Sequence, residues 1–271
     1  MFLAVPGVCF ADDEEKKERL LPLFDDWFVE QGIELPRPYG LGLTAIYMDR
    51  DVEVDDVRVT FGGRPPESIS DTADFNVSNS TGLIMARADA WILPFLNVYV
   101  LGGHTQSEAR LDTTISIPTP GPGGPIETDL MVDSDVSGPF IGAGFTLVAG
   151  INDWFAMADA NYGESDLDEF DGKLDVWILS GRLGRVFNRA DKQYMAWGGL
   201  LYIDSKRTIT ISTDLPILGE TIIDVDQRPA DPLTYQIGGS VTFNSRWHLM
   251  LEAGSNFDDA TIVVASATWR F

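Results

Sequence analysis

Hydrophobic and polar residues alternate in short runs from Tyr39 to the end of the chain, without the apolar spacing of a helix. A repeat of two residues is the pattern of a β-strand with one apolar and one polar face. We therefore expect an all-β fold from residue 39 onward. The alternation predicts ten strands: 40–49, 81–92, 97–106, 138–149, 154–164, 174–187, 193–204, 233–243, 247–254 and 260–271.

The connections between these strands alternate between short and long. The short turns are 93–96, 150–153, 188–192 and 244–246. The longer connections are polar or rich in Pro and Gly: 50–80, 107–137, 165–173, 205–232 and the brief 255–259. Segments 50–80 and 205–232 are long enough to fold back as hairpin extensions, so the strand count could differ by two.

The closing segment 261–271 shows the alternation most clearly. One parity is apolar throughout and ends on an aromatic residue: Val263, Ala265, Ala267, Trp269 and Phe271. An ordinary buried edge strand of a soluble protein would explain this pattern. The segment also resembles the closing strand of bacterial outer-membrane β-barrels, whose terminal aromatic is part of the signal read by the assembly machinery. Ser266 stands where that signal usually has glycine. On this resemblance Trp269 and Phe271 form an assembly signal.

The resemblance implies a transmembrane antiparallel up-and-down β-barrel of about ten strands over residues 39–271. Such barrels have tight periplasmic turns and long external loops, which matches the alternation of connection lengths. An even strand count returns the chain to its starting side, so both termini are expected in the periplasm. The implied location is the bacterial cell outer membrane. The implied partners of this monomer are outer-membrane lipid, lipopolysaccharide and the barrel-assembly machinery.

Aromatic residues favour the same architecture. One set lies beside the short turns and at the C-terminus: Trp91, Phe95, Trp154, Phe155, Phe187, Phe243, Trp247, Trp269 and Phe271. If those turns share one membrane face, this set forms an interfacial girdle. A second set lies at the opposite strand ends: Tyr47, Tyr162, Tyr202 and Tyr235. A soluble β-sandwich would bury its aromatic residues in mid-strand.

Strand parity separates a lipid face from a lumen face. The apolar parity of each strand is assigned to lipid, as for Leu41, Leu43, Ala45 and Tyr47 in the first. The opposite parity carries a predicted lumen charge network: Arg87, Asp89, Asp159, Arg182 and Glu252. A lysine or arginine facing hydrocarbon at the bilayer midplane costs roughly 2–4 kcal/mol, so these charges must point inward. Since barrels of about eight strands are filled by side chains, we expect a largely filled lumen. A polar conduction path is the alternative.

The residues before the barrel form two units. Residues 1–11 are apolar and resemble the remnant of a secretory signal peptide, with the small residues Cys9 and Ala11 before the cleavage point. Residues 12–38 predict a short periplasmic amphipathic helix followed by a stiff linker. The apolar residues at helical spacing are Leu20, Leu23, Phe24, Trp27 and Phe28. We expect this helix to pack against the periplasmic rim, and a plug inside the lumen is the alternative.

The formal net charge of −23 argues against nucleic acid as a partner, because that ligand needs a basic surface. No run approaches the roughly 20 apolar residues of a transmembrane helix. A barrel strand places only every second residue against lipid, so the composition is compatible with a membrane barrel. With a single Cys and two His there is no cluster of metal ligands, and no cofactor is expected.

Candidate catalytic residues are few. A barrel of ten strands resembles the omptin outer-membrane proteases, which use paired acidic residues and an Asp–His couple near the external rim. Here His248 lies beside a short turn, and the carboxylate nearest to His104 in sequence is Glu108. A serine–histidine site is also disfavoured, because Ser107 and His104 differ in parity. We therefore predict no catalytic residues and a non-enzymatic protein.

The long connections are acidic. Asp166, Asp168 and Asp171 have a spacing that suggests calcium, but the glycine and distal glutamate of an EF-hand loop are missing. We expect solvated external loops, bridged by divalent cations to lipopolysaccharide. The leading hypothesis is a non-enzymatic surface barrel with a charged, largely filled lumen and acidic external loops. The alternative is a narrow porin or small-solute transporter, gated by the N-terminal helix or the lumen charges. An enzyme at the outer rim is the third hypothesis.

Overall fold

The computed structural model describes residues 20–24, 35–61, 65, 67–68, 73–117, 126–166, 173–189, 191–215, 219–244 and 246–271. The strands are β1 (Tyr39–Phe61), β2 (Glu67–Ser68), β3 (Ala73–Leu93), β4 (Leu96–Ile117), β5 (Ile126–Ile151), β6 (Trp154–Asp166), β7 (Lys173–Arg189), β8 (Lys192–Leu215), β9 (Gly219–Pro229), β10 (Leu233–Phe243), β11 (Trp247–Ser255) and β12 (Ala260–Arg270).

Ten of these strands close into one antiparallel barrel. The order around the wall is β1-β3-β4-β5-β6-β7-β8-β10-β11-β12, and β12 pairs with β1. The closing pair runs from Gly40 facing Arg270 to Arg50 facing Ala260. The predicted all-β, antiparallel up-and-down barrel is therefore confirmed, and each predicted segment overlaps one wall strand.

Several strands continue past the wall at the end opposite the short turns. We call this the extended end, and the other the turn end. Here β9 continues the line of β10, since both pair with β8. On its other side β9 pairs with the far half of β1, from Val52 facing Pro229 to Phe61 facing Thr221. Hairpin extensions in segments 50–80 and 205–232 are thus confirmed.

The connection 107–137 is not the loop that the sequence predicted. β4 and β5 stay paired through it, as far as Ile117 facing Ile126. The stretch 111–117 contains two Thr and two Ile, and β-branched residues of this kind favour strands. The Pro- and Gly-rich run 118–125 therefore indicates only where the chain passes from β4 to β5, and not a loop over all of 107–137.

Strand β1 changes partner at residues 50–52, which we call the fork. Below the fork it pairs with β12, and beyond it with β9. The Asp51 amide donates to the Asp259 carbonyl at 3.2 Å, and the Ala230 amide donates to the Asp51 carbonyl at 3.4 Å. These two bonds connect the β11–β12 hairpin to the β9–β1 pair above it.

Exposure alternates along the wall strands, so the barrel has a distinct outer and inner face. The exposed outer positions are largely apolar: Leu41, Leu43, Tyr47, Ile84, Ile141, Phe145, Trp177, Leu179, Leu183, Ile237, Leu249 and Leu251. They agree with the parity assigned to lipid from the sequence. An apolar outer band over a polar interior is what a hydrocarbon environment requires of a barrel.

The predicted N-terminal helix falls largely outside the described residues. Within 20–24 the chain forms a bend and turn, in which Phe24 has a φ of 65°. The Leu23 amide donates to the Ile92 carbonyl at 2.9 Å, so this short piece lies beside the β3–β4 turn. Among the residues described, no helix is long and apolar enough to cross a membrane.

Candidate functional site: the barrel lumen

One buried ion pair of the lumen joins β7 to β11. Arg182 donates from Nε and Nη2 to the two carboxylate oxygens of Glu252, at 2.8 and 3.0 Å. Glu252 also accepts from the Trp197 indole N–H at 2.6 Å and is only 3% exposed. Arg182 donates a further bond to Ser180 at 2.8 Å. A bidentate pair with additional hydrogen bonds to both partners is the arrangement in which a buried charge is tolerated.

A second charge cluster lies nearer the turn end, on β3, β4 and β12. Arg87 donates to the side-chain oxygen of Asn97 at 2.8 Å, and the Asn97 amide donates to Asp89 at 2.7 Å. Asp89 also lies 3.1 Å from Arg270 Nη1 and 3.6 Å from Arg87 Nε. Two arginines therefore flank one buried carboxylate.

Asp159 connects the wall strands between these two clusters. It accepts hydrogen bonds from the Tyr99 hydroxyl at 2.8 Å, from the Asn161 amide at 3.1 Å and from the Thr146 hydroxyl. The Arg87 guanidinium lies 3.8 Å from the centre of the Tyr99 ring, within cation–π range. Tyr99 therefore links Asp159 to the second cluster.

The five charges predicted for the lumen are thus divided between separate groups. Arg182 pairs with Glu252, Arg87 with Asp89, and Asp159 is held by neutral donors. The prediction missed four residues that bind these carboxylates, three of them uncharged and one an arginine near the C-terminus: Asn97, Tyr99, Trp197 and Arg270. Strand parity could have found all four, since each shares the inward face of its strand. It could not have shown which charges meet across the lumen, because that depends on stagger and side-chain reach.

An aliphatic layer crosses the lumen toward the extended end. Leu201 and Ile203 of β8 contact Ile262 of β12, although β10 and β11 separate those strands in the wall. The partly buried side chains packed around them come from three strands, β1, β7 and β12: Ile46, Met48, Val176, Ile178 and Val264. These contacts therefore bridge the interior rather than follow the wall.

A second apolar cluster lies toward the turn end. Phe155, Val186 and Trp197 form its buried centre, with Met157, Met195 and Met250 packed against them. Phe155 is 1% exposed, which corrects its assignment to the aromatic girdle. The neighbouring Trp154 is the exposed member of that pair, because successive strand residues face opposite sides.

Glycines make room for the large inward side chains. A Cβ on Gly144 would lie 2.7 Å from the Tyr99 ring and 2.6 Å from the Ala160 carbonyl. A Cβ on Gly238 would lie 2.7 Å from the Trp197 ring. All three distances are shorter than van der Waals contact, so these rings need a glycine opposite them.

The predicted assembly residues lie at the closing seam on the turn end. Trp269 and Phe271 are both exposed, and their rings stack at 4.8 Å. Phe271 also stacks with Tyr39 at 5.9 Å. Their backbones exchange hydrogen bonds of 3.1 and 3.3 Å, so the seam is paired to its last residue.

The histidines do not form a catalytic arrangement with the residues discussed from the sequence. His104 is exposed on the outer face of β4, while Ser107 is buried on the inner face. His248 lies at the turn end, where Nδ1 is 3.0 Å from the Thr242 hydroxyl. In the part of the chain that the structure describes, no group of three or more His, Cys, Asp or Glu could hold a metal ion. Asp168 and Asp171 of the acidic loop lie outside that part.

Known structures share the barrel architecture at low similarity. The outer membrane protein OprG from Pseudomonas aeruginosa has a TM-score of 0.41 and 13% identity, covering 88% of this chain and 99% of that chain. The β domain of the Bordetella autotransporter BrkA has a TM-score of 0.37 and 13% identity, covering 86% of this chain and 100% of that chain. The toluene transporter TbuX from Ralstonia pickettii has a TM-score of 0.33 and 10% identity, covering 88% of this chain and 90% of that chain.

No protein-family model and no curated protein sequence matches the chain. At these scores the structural likenesses carry no argument about function. The closed ten-stranded topology and the apolar outer face are the chain's own features, and they are those of an outer-membrane β-barrel.

Proposed function

We propose that this chain is a non-enzymatic barrel of the bacterial outer membrane whose lumen is closed to free passage of solutes. The observation that carries the proposal is the stacking of layers inside the barrel. The Arg182–Glu252 pair lies between the aliphatic layer around Leu201 and the aromatic cluster around Phe155. A hydrated ion would have to cross both apolar layers and separate a buried ion pair.

The same proposal assigns the two ends of the molecule. We place the turn end, with both barrel termini, in the periplasm, and the extended end outside the cell. The fork region carries several carboxylates: Asp49, Asp51, Asp231, Asp258 and Asp259. Lipopolysaccharide also carries negative charge, so divalent cations would have to bridge the two. The protein acts here as a monomer inserted by the barrel-assembly machinery, with Trp269 and Phe271 as its signal.

A narrow transporter is the second candidate. Two polar atoms on the inner face of β10, Gln236 Oε1 and Ser240 Oγ, are buried without a hydrogen-bond partner among the described residues. Unpaired buried polar atoms are a place where water or a polar solute can bind. A solute moving along this side of the lumen would still have to displace the aliphatic layer.

Conductance across a planar lipid bilayer tests the closed lumen. We expect no discrete openings from the native protein. Replacing both Leu201 and Ile262 with Gly should produce openings, because it removes the centre of the aliphatic layer. The matched control is Leu200→Gly on the outer face of the same strand, which should remain silent. Stable openings from the native protein would contradict the proposal and favour the transporter.

The non-enzymatic part has its own test. Purified barrel should not hydrolyse lipid or peptide substrates. Hydrolysis by the native protein that is lost in a folded His104→Ala variant would show that this part of the proposal is wrong.

A further inference from the structure

Strand β5 is much longer than its neighbour on one side. It spans Ile126–Ile151 and pairs with β4 along its whole length, but with β6 only from Phe140 facing Ser165. In the described ranges, no strand pairs with the other edge of β5 over residues 126–139. That edge therefore extends beyond the barrel wall with one side open.

The connection between β6 and β7 is too short to cover this edge. β6 ends at Asp166 and β7 begins at Lys173, which leaves six intervening positions, 167–172. A strand advances about 3.4 Å per residue, so an excursion that leaves and returns within six residues reaches about three residues beyond the wall. Most of the β5 edge lies farther out than that.

An open edge of this kind is a template for another strand. Every second residue directs its N–H and C=O away from the existing partner, in the spacing that an added antiparallel strand matches. Proteins bind extended peptides in this way, with main-chain hydrogen bonds for affinity and side chains for selectivity. The edge strand alone does not say which strand would bind.

The charge of residues 126–139 indicates which kind of strand would bind to this edge. Residues 126–139 contain Glu127, Asp129, Asp133 and Asp135, and neither Lys nor Arg. Asp135 is exposed. Pairing this edge with the same edge of a second copy would bring like charges opposite each other, which is destabilising. On β4, Arg110 faces Asp133 across the ladder, and Glu108 and Asp112 add two further acidic residues. A segment with alternating positive charges would instead be attracted, because the charge of the hairpin is mainly negative.

We propose that residues 126–138 of β5 bind an extended, cationic peptide segment by strand addition. The segment pairs through its backbone with the open edge and places its Lys or Arg side chains near the acidic residues. This site is independent of the lumen, so it stands whether or not the barrel conducts.

Fluorescence anisotropy with synthetic peptides tests the proposal on the whole folded protein in detergent. The probe is a labelled ten-residue peptide of alternating Lys and Val. One control replaces each Lys with Glu, and the other keeps every Lys but replaces each Val with Pro. Proline lacks the N–H of a ladder, so the second control retains charge without strand pairing. We expect at least tenfold weaker binding of both controls.

Variants of the protein locate the site. Asp129→Lys combined with Asp133→Lys should weaken binding of the Lys–Val peptide about tenfold or more, the effect of a change of about 1.4 kcal/mol. The matched control is Asp153→Lys combined with Asp191→Lys, which makes the same charge change at two exposed positions of the turn end. It should bind as the native protein does. Heat-modifiable migration on a gel verifies that each variant is folded.

Three results would overturn the proposal. Equal binding of the Lys–Pro peptide would mean charge attraction without strand addition. Equal binding to the folded β5 variant and to native protein would place the site elsewhere. Dimers of the native protein that block the peptide would show that the edge serves a second copy of the chain.

Discussion

The barrel wall and the extended end are built from the same strands under different constraints. In the wall, every strand has two partners, and its side chains alternate between an apolar outer face and a filled lumen. Beyond the wall, β6 and β7 have ended, the β11–β12 hairpin has stopped at the fork, and β5 keeps one partner. The bilayer imposes closure only where it surrounds the chain, because an unpaired backbone group is costly in hydrocarbon and not in water.

This difference predicts where substitutions are tolerated. Inside the wall a side chain has packed neighbours and buried polar partners. At exposed positions of the extended end, such as Asp51 and Asp135, changes act on solvent-exposed charges, whose interactions are weak and screened. We expect the effect on stability to fall from the lumen to the fork.

Glu252→Ala should have the largest effect. It leaves the Arg182 guanidinium and the Trp197 indole N–H without their acceptor inside the lumen. Breaking a buried pair by removing one partner costs about 3–5 kcal/mol. Urea unfolding in lipid vesicles, followed by tryptophan fluorescence, measures the loss. Replacing the pair together, with Arg182→Met and Glu252→Leu, should restore much of it. A single variant as stable as the native protein would show that the pair is not structural.

Gly144→Ala should have an intermediate effect. Its added methyl group would overlap the Tyr99 ring and the Ala160 carbonyl. Overpacking of this kind costs about 1–3 kcal/mol. Gly181→Ala is the matched control, since nothing lies within 4 Å of the added carbon on the outer face. The same unfolding assay should separate the two variants. Equal midpoints would mean that the lumen can relax around the ring.

Asp51→Asn should have the smallest effect, and it should depend on pH. Partial burial and the neighbouring Asp259, Asp49 and Asp258 raise the pKa of Asp51 above its ordinary value of 3.8. The folded protein therefore binds this proton more tightly than the unfolded chain. Proton binding by Asp51 therefore stabilises the folded protein. This stabilisation is complete below the pKa that Asp51 has in the unfolded chain, and it is lost as pH rises through the pKa of Asp51 in the folded protein. The variant should be slightly more stable than native protein at neutral pH, and the two should converge in acid.

The sequence predicts the wall well because alternation follows from burial on one face. The outward parity of Leu41, Ile141 and Leu251 and the inward parity of Arg182 and Glu252 were readable from spacing alone. Spacing was less informative about Phe155, because an aromatic beside a turn can lie in the girdle or in the lumen. The long β4–β5 hairpin was missed because the Pro- and Gly-rich run 118–125 and the acidic residues around it resemble a polar loop.

The seam between β1 and β12 has a consequence for folding. Its partners come from the beginning and the end of the barrel, so it closes the largest loop of all the strand pairs. The other neighbouring wall strands are close in sequence and can form hairpin by hairpin. Until β1 and β12 pair, each of these two strands lacks one neighbour along its wall segment. During the time before these two edges pair, either of them can pair with a strand of another protein molecule instead.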